Sequence, residues 1–143
     1  MRWNPFNWIF SRPSPHSSNV SLGELGEEHA ARYLRRHGYK VLVRRFRSRA
    51  GEIDIVCRQG EWLVFVEVKT RRGEEIAAPS EAVDRVKQRH MSKVALDYLR
   101  LLHYPEVRFR FDIVEVIWPA GSRKPVEVRV IQDAFEMSEP YVY

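Results

Sequence analysis

The stretch GEIDIVCRQGEWLVFVEVKTRR, residues 51–72, decides the fold. Two apolar runs, IDIV and LVFVEV, flank the sequence RQGE, in which Gly60 permits the positive backbone angle that a tight hairpin needs. The two runs are therefore predicted to be adjacent antiparallel strands. Both contain acids, Asp54 and Glu67, and Lys69 follows two residues after the second acid. Because burying an unpaired carboxylate is costly, these acids need a partner.

The elements on either side of this hairpin have their own signals. Ser21 opens the sequence SLGE, which is typical of a capping box, and a helix is predicted from there to about His37. Ser80 is predicted to cap a second, longer helix that ends near His103. One further helical turn is predicted over residues 133–137. The predicted strands cover residues 39–46, 52–58, 62–70, 107–118 and 126–131.

The order α-β-β-β-α-β-β predicts an α/β fold with a central mixed sheet flanked by helices. With 143 residues, the chain is long enough for one domain, expected over residues 21–143. Residues 1–20 are rich in Pro, Ser and Asn and are expected to form a disordered tail. That tail contains four aromatic residues, which could instead dock on the domain, on a partner or on a second copy.

Charge and composition limit the class of protein. There are 24 Lys and Arg residues against 19 acids, a net charge of +5, which favours an anionic partner and more often nucleic acid than a membrane surface. The single cysteine, Cys57, excludes an internal disulfide and an all-cysteine metal site. No apolar run approaches the roughly 20 residues of a membrane span, and the start lacks a signal-peptide core. A cytoplasmic protein without a membrane partner is expected.

The basic residues are concentrated on both sides of the acidic stretch. A nucleic-acid partner would be contacted through its phosphates, without reading of the bases. The alternative interpretation is a solvated charged surface without a ligand. The arginines concerned are Arg44, Arg45, Arg47, Arg49, Arg71 and Arg72.

The two strand acids can share one surface with the lysine. Side chains alternate across a strand, so Glu67 and Lys69 point to one face, and Asp54 shares its face with Val56. One interpretation is a structural salt bridge from an acid to Lys69. Another is a bound Mg²⁺, because two carboxylates and the Val68 carbonyl would offer the hard oxygen ligands that this ion prefers. Lys69 would then stabilise the attacking water or a phosphate charge.

Both helices can contribute to the same surface. On a helical wheel Glu27 lies just past the edge of the first helix's apolar arc, where it can reach over the sheet. Lys87 falls near the middle of the second helix's apolar arc, and Gln88 lies at its rim. The alternatives for Lys87 are that its stem snorkels to the surface or that it faces the cleft of Asp54 and Glu67.

Most of the chain resembles a known family. The segment LGELGEEHAARYLRRHGYKVLVRRFRSRAGEIDIVCRQGEWLVFVEVKTRR, with VDRVKQRHMSKVALDYL and RFDIVEV after it, resembles the YraN-like family, which is grouped with endonucleases. That family is similar to archaeal Holliday-junction resolvases and belongs to the restriction-endonuclease-like PD-(D/E)XK superfamily. The resemblance covers about residues 22–131. GEIDIV followed by FVEVKTR is its specific part, whereas a bare D…ExK spacing is not.

The resemblance implies a restriction-endonuclease-like fold and a site on the hairpin. Ile53 precedes the metal-binding acid where the superfamily name has proline, and because proline is not a ligand the implied site is intact. Carried over by position, the implied site consists of Asp54 and Glu67 as metal-binding acids, Lys69 as the lysine of the E-x-K, Glu27 from the first helix, and Lys87 and Gln88 from the next helix.

The activity implied is a Mg²⁺- or Mn²⁺-dependent nuclease that hydrolyses phosphodiester bonds in DNA. No helix has a base-reading pattern, so branched or otherwise structured DNA is a better expectation than a sequence site. Cutting both strands of such a substrate would be easiest for a two-fold homodimer. The alternative function is a nucleic-acid-binding module that keeps the fold without catalysis.

Overall fold

The computed structural model describes residues 20–73, 83–141 and 143. Seven elements follow in the predicted order, so the sequence of helices and strands is confirmed. Nearly all of the predicted tail, residues 1–19, lies outside the described residues. The elements are α1 (Leu22–Arg36), β1 (Lys40–Ser48), β2 (Gly51–Gln59), β3 (Trp62–Arg71), α2 (Arg85–Leu101), β4 (Arg108–Ile117) and β5 (Glu127–Phe135).

The five strands form one mixed sheet in the order β1-β2-β3-β4-β5. Neighbouring strands are antiparallel except for β3 and β4, which are parallel. A parallel pair needs a crossover connection, and α2 lies within that connection. The predicted α/β fold with a central mixed sheet is therefore confirmed, and the arrangement is consistent with a restriction-endonuclease-like fold.

The two helices cover opposite faces of the sheet. Ala30, Ala31 and Leu34 of α1 pack in one apolar cluster, and Met91 and Val94 of α2 pack in the other. Strand β3 is buried on both sides, as is usual for a central strand between helices. The two layers of core therefore hold the hairpin from both faces.

Alternation holds in β3 and is interrupted in β2. Phe65 of β3 packs in the α2-side cluster and Val66 in the α1-side cluster, as predicted. In β2, however, Ile53 and Val56 pack in the same α2-side cluster, although they are three residues apart. The interruption falls at Asp54 and Ile55, where pairing between β2 and β3 ends.

The first helix begins as predicted and the second does not. Ser21 caps α1, and its hydroxyl oxygen accepts the backbone N–H of Glu24 at 3.2 Å. The prediction of Ser80 as the second cap is wrong, because α2 begins at Arg85 with Asp84 as its N-cap. The Asp84 carboxylate accepts the N–H of Lys87 at 2.8 Å, and aspartate caps as well as serine does. Ser80 itself lies outside the described residues.

The predicted helical turn at residues 133–137 is also wrong. Strand β5 continues to Phe135, with an irregular register opposite Asp112 of β4. Asp133 takes a left-handed backbone angle, φ 51°, and its N–H donates to the Asp112 carboxylate at 2.9 Å. The strand thus contains a bulge at Asp133, where the buried Asp112 carboxylate replaces a backbone partner.

Helix α1 approaches β3 closely at a single glycine. A Cβ atom added to Gly26 would lie 1.9 Å from Thr70 Oγ1 and 3.2 Å from Thr70 Cβ. Only glycine therefore allows this distance between helix and strand. Because Glu27 is the next residue, the same contact determines how far that carboxylate reaches over the sheet.

Gly26→Ala is expected to destabilise the fold by about 1–2 kcal/mol, because overpacking costs about 1–3 kcal/mol and the gain in helix propensity returns at most about 1 kcal/mol. In a Thr70→Ala background the penalty is expected to fall by at least about 1 kcal/mol, because Oγ1 and Cγ2 are gone. Urea unfolding of the four proteins measures both values. A stabilising effect of Gly26→Ala in the Thr70 protein would show that the contact is not tight.

Candidate metal centre at the end of the β2–β3 ladder

Asp54 sits where the two strands of the central hairpin separate. The β2–β3 ladder ends at the pair Ile55–Val66. Beyond it, the backbone N–H of Val68 donates to Asp54 Oδ2 at 2.8 Å. A side-chain carboxylate therefore takes the place of the carbonyl that a continued ladder would supply, and it is held between the two strands.

The two carboxylate oxygens of Glu67 have different surroundings. Its side chain is only 5% exposed, and its Oε1 lies 3.5 Å from Lys69 Nζ and 3.5 Å from Lys87 Nζ. Its Oε2 is buried and has no hydrogen-bond partner among the described residues. A buried oxygen without a donor is costly, so this atom requires either a proton or a cation.

The ionisation of Asp54 depends on its burial and on the neighbouring Glu67. Burial, followed by the negative charge of Glu67, raises the pKa of Asp54 from 3.8 to about 7, and the Val68 N–H opposes the rise. The predicted proximity of these two acids is thus observed, although β2 does not keep strict alternation.

Two further acids join Asp54 from the other side. Carboxylate oxygens of Glu27, Glu52 and Asp54 all lie within 4.8 Å of one another. Burial is the main cause of a raised pKa for Glu27, and the charge of Asp54 adds to it. Glu52 is absent from the predicted site, although its position two residues before Asp54 in the same strand could have indicated it.

These residues fit a hard divalent cation. All the donors are carboxylate oxygens, the ligand type that Mg²⁺ and Mn²⁺ prefer. Burial and the Glu67 charge raise the pKa of Asp54, and Glu67 Oε2 has no hydrogen-bond partner among the described residues, so a cation beside these two acids would stabilise their charged forms. The residues that would hold the ion are Glu27, Glu52 and Asp54, and Glu67 adds its charge through its neighbour Asp54. A role for the Val68 carbonyl stays a prediction.

The two candidates on α2 behave differently. The Lys87 ammonium reaches Glu67, so the inward-facing interpretation of this residue agrees with the structure. The Gln88 amide instead donates to the carbonyl of Val83 at 3.0 Å, at the start of its own helix. Gln88 thus satisfies a backbone carbonyl just before α2, and its place in the site stays a prediction.

Of the six candidate arginines, four lie within 4.0 Å of an acid and two do not within the ranges described. Three are paired with acids of α1 or β2: Arg44 with Glu28, Arg45 with Glu27 and Arg47 with Glu52. Arg71 Nε lies 4.0 Å from Glu115, a buried acid in the middle of β4. Arg49 and Arg72 are exposed and have no ion pair within the ranges described. Contact of any of them with nucleic acid stays a prediction.

Comparison with other proteins now places the chain. The family described as "Uncharacterised protein family UPF0102" matches residues 26–116, which include every carboxylate of the centre. The chain is a member of the UPF0102 family. A UPF0102 protein of Syntrophus aciditrophicus is 42% identical over 123 residues, covering 85% of this chain and 94% of the relative.

Other UPF0102 proteins match over nearly their whole length. The protein of Rhodococcus opacus is 44% identical over 117 residues, covering 82% of this chain and 98% of its own. That of Symbiobacterium thermophilum, UPF0102 protein STH1475, is 45% identical over 114 residues, covering 80% of this chain and 95% of its own. Within the described part of this UPF0102 chain, neither helix has the length and apolar character needed to cross a bilayer.

The raised pKa of Asp54 predicts a pH-dependent stability in the absence of metal. The folded state holds a proton that the unfolded state releases near pH 4, so stability is greatest below that value and is lost as the pH rises through about 7. Asp54→Asn keeps an acceptor for the Val68 N–H but carries no charge. At one pKa unit per about 1.4 kcal/mol, the variant is expected to be more stable at pH 8 by about 1–3 kcal/mol.

Urea unfolding in EDTA at pH 5 and pH 8 measures this difference. Glu61→Gln, in the turn at the far end of the same hairpin, is the matched control and is expected to follow the wild type. An Asp54→Asn protein with the wild-type pH dependence would show that Asp54 is not the titrating group.

Proposed function

We propose that this protein is a nuclease that uses Mg²⁺ or Mn²⁺ to hydrolyse phosphodiester bonds in DNA. The observation that carries the proposal is the arrangement around Glu67. One of its oxygens is shared by two ammonium groups, the other is buried and has no hydrogen-bond partner among the described residues, and the Glu67 charge acts on the neighbouring Asp54 carboxyl. Carboxylates on one side and lysines on the other suit the opposite charges of a metal ion and a phosphate.

The bound ion would supply a water of lowered pKa and positive charge opposite the developing phosphate charge. The hydrogen bond from the Val68 N–H holds the Asp54 carboxylate in place among the clustered acids. Lys69 and Lys87 are only partly buried, so their ammonium groups can turn from Glu67 towards a phosphate oxygen at the surface. Lys69 is the residue proposed to orient the attacking water.

Structured DNA is the substrate that we propose. The net charge of +5 favours a polyanion, and the exposed guanidinium groups of Arg49 and Arg72 are available for phosphate contacts that do not depend on sequence. The resemblance to junction resolvases points in the same direction. Cleavage of both strands of a branch would need two centres, so a two-fold homodimer of residues 21–143 acting in the cytoplasm belongs to the proposal.

A second function is favoured by a different observation. Glu27 and Glu52 already have arginine partners, so two of the four acids are neutralised without a metal. A nucleic-acid-binding module without catalysis, in which these ion pairs only stabilise the fold, would have the same arrangement of acids and arginines. The two functions differ in whether cleavage occurs and whether binding depends on metal.

A cleavage assay separates them. Labelled four-way junction, flap, linear duplex and single-stranded DNA are incubated with the protein in Mg²⁺, Mn²⁺ or EDTA. We expect the DNA to be cut when Mg²⁺ or Mn²⁺ is present and not in EDTA, with a preference for the branched substrates. Asp54→Asn and Glu67→Gln are expected to lower the rate by more than about 100-fold, because even residues behind the ligands contribute about 10- to 100-fold. Glu61→Gln serves again as the matched control.

The contrary result would be DNA binding of equal strength in EDTA and in metal, with no product from any substrate. Persistence of that binding in Asp54→Asn would identify the module instead of the enzyme.

Lys69→Met tests the division of roles between acids and lysines. We expect cleavage to fall by about 100-fold or more while the affinity for Mn²⁺, measured by calorimetry, is unchanged or slightly increased, because a cation beside the carboxylates has been removed. Lys87→Met is the companion variant on α2. Loss of Mn²⁺ affinity in Lys69→Met, with a normal fold, would instead make this lysine a support for the acids.

A further inference from the structure

The acids of the candidate site form a cluster that is surrounded by basic side chains. When all groups are ionised, its four acids face four basic side chains, so the cluster is close to neutral in charge. A divalent cation added to such a cluster leaves an excess of two positive charges unless a basic group leaves or an anion arrives. The acids are Glu27, Glu52, Asp54 and Glu67, and the basic side chains are Arg45, Arg47, Lys69 and Lys87.

Two arginines form ion pairs with acids that a metal ion would need as ligands. Arg45 Nε donates to Glu27 Oε2 at 2.9 Å, and Arg47 Nε donates to Glu52 Oε2 at 2.5 Å. Both acids belong to the trio whose oxygens lie within 4.8 Å of one another. A cation that takes these oxygens therefore competes directly with the two guanidinium groups.

The two arginines have access to solvent. The side chains of Arg45 and Arg47 are 39% and 75% exposed, whereas those of their partners Glu27 and Glu52 are 16% and 29% exposed, so water competes at the arginine end of each ion pair and weakens it. Both project from β1, next to the carboxylates, so a small rotation places them in the solvent above the cluster. Arg45 also has a left-handed backbone angle, φ 54°, which is uncommon for a residue with a side chain and is a form of strain that collects at functional sites.

We propose that Arg45 and Arg47 exchange partners during binding. Without metal they neutralise Glu27 and Glu52; when a divalent cation takes these carboxylates, the two guanidinium groups turn to backbone phosphates beside the cleavage point. This inference rests on the proposed function, because it requires the metal centre. An independent sign of that centre, outside the acid trio, is Glu67, whose charge acts on Asp54 and whose buried Oε2 has no hydrogen-bond partner among the described residues.

The exchange makes metal and nucleic acid mutually dependent ligands. Metal binding frees the phosphate contacts, and phosphate binding keeps the arginines away from the acids. By linkage, each ligand raises the affinity for the other by the same factor, and couplings of this kind are typically about 5- to 150-fold. The proposal thus assigns to the metal-free protein a low affinity for DNA.

Arginine side-chain NMR observes the exchange without any turnover. Both ion pairs are made through Nε, so the Nε–H resonances of Arg45 and Arg47, assigned with Arg45→Lys and Arg47→Lys, report them directly. We expect both resonances to shift on titration with Mg²⁺, together with the Val68 amide beside Asp54. The Nε–H of Arg129 should not move, because its pair with Glu127, at 2.9 Å and 38% exposure, is similar but lies outside the cluster.

The outcomes separate this inference from the proposed function. A shifted Val68 amide with unmoved Arg45 and Arg47 resonances would overturn the exchange and leave the metal centre in place. No shift at any of these groups at millimolar Mg²⁺ would overturn the metal centre and the exchange together.

Binding measurements give the second test. The affinity for a fluorescent DNA oligonucleotide is compared in Ca²⁺ and in EDTA by anisotropy, and the affinity for Mn²⁺ is measured by calorimetry. Arg45→Gln and Arg47→Gln are expected to bind Mn²⁺ about two- to fivefold more tightly, as the loss of a weak competing ion pair predicts. They are also expected to lose most of the metal-dependent gain in DNA affinity.

Arg129→Gln is the matched control, because it removes the same charge and a comparable ion pair. It is expected to keep the wild-type coupling between metal and DNA. If Arg129→Gln reduces that coupling as much as Arg45→Gln does, the effect is one of overall charge, and the exchange is wrong.

Discussion

The hydrogen bond from the Val68 N–H to the Asp54 carboxylate is the constraint on which the centre depends. It closes the β2–β3 ladder with a side chain and so keeps an ionisable group at the heart of a sheet that is otherwise packed on both faces. Glu67 approaches this group from one side of the sheet, and Glu27 and Glu52 approach it from the other. Without this bond, Asp54 would be an ordinary strand residue facing a single side.

Two buried acids of the same sheet show the difference between structure and chemistry. Asp112, fully buried in β4, is satisfied by Arg110 on both oxygens, by the Tyr39 hydroxyl at 3.3 Å and by the N–H of Asp133. Glu67 is buried to a similar degree, but one of its oxygens has no donor within the described ranges. Burial alone therefore does not distinguish Glu67 from Asp112, whereas hydrogen bonding does. Glu115, buried in β4, resembles Glu67 in this respect, because its Oε1 also has no hydrogen-bond partner among the described residues.

Much of the fold could be predicted from the sequence because its signals are local. The Ser21 cap, the turn at Gly60 and the alternation in β3 each depend on a few neighbouring residues. The start of α2 was predicted wrongly because Ser80 and Asp84 are both good caps, and only packing chooses between them. The end of β5 was predicted wrongly because its bulge depends on Asp112, a residue 21 positions away whose carboxylate takes the N–H of Asp133.

The candidate site was predictable to the extent that it follows periodicity. Asp54, Glu67, Lys69, Glu27 and Lys87 were identified by strand or helix phase together with the family resemblance. The hydrogen bond from Gln88 to the Val83 carbonyl could not be predicted, because helix phase does not fix where a flexible amide finds its partner. The ion-pair partners of Arg45 and Arg47 could not be predicted. Strand phase gives the direction in which a side chain points, but it does not say which acid of another element that side chain contacts.

The Asp112 network and the carboxylate centre lie at opposite ends of the β2 strand. Tyr39 and Arg110 adjoin the end near Gln59, whereas Glu52 and Asp54 adjoin the beginning. One end is rigid and fully satisfied, and the other holds like charges close together at a cost in stability. The carboxylate cluster and the Asp112 hydrogen-bond network are thus separated along a single strand. Substitutions among the clustered acids are therefore expected to leave the Asp112 network in place.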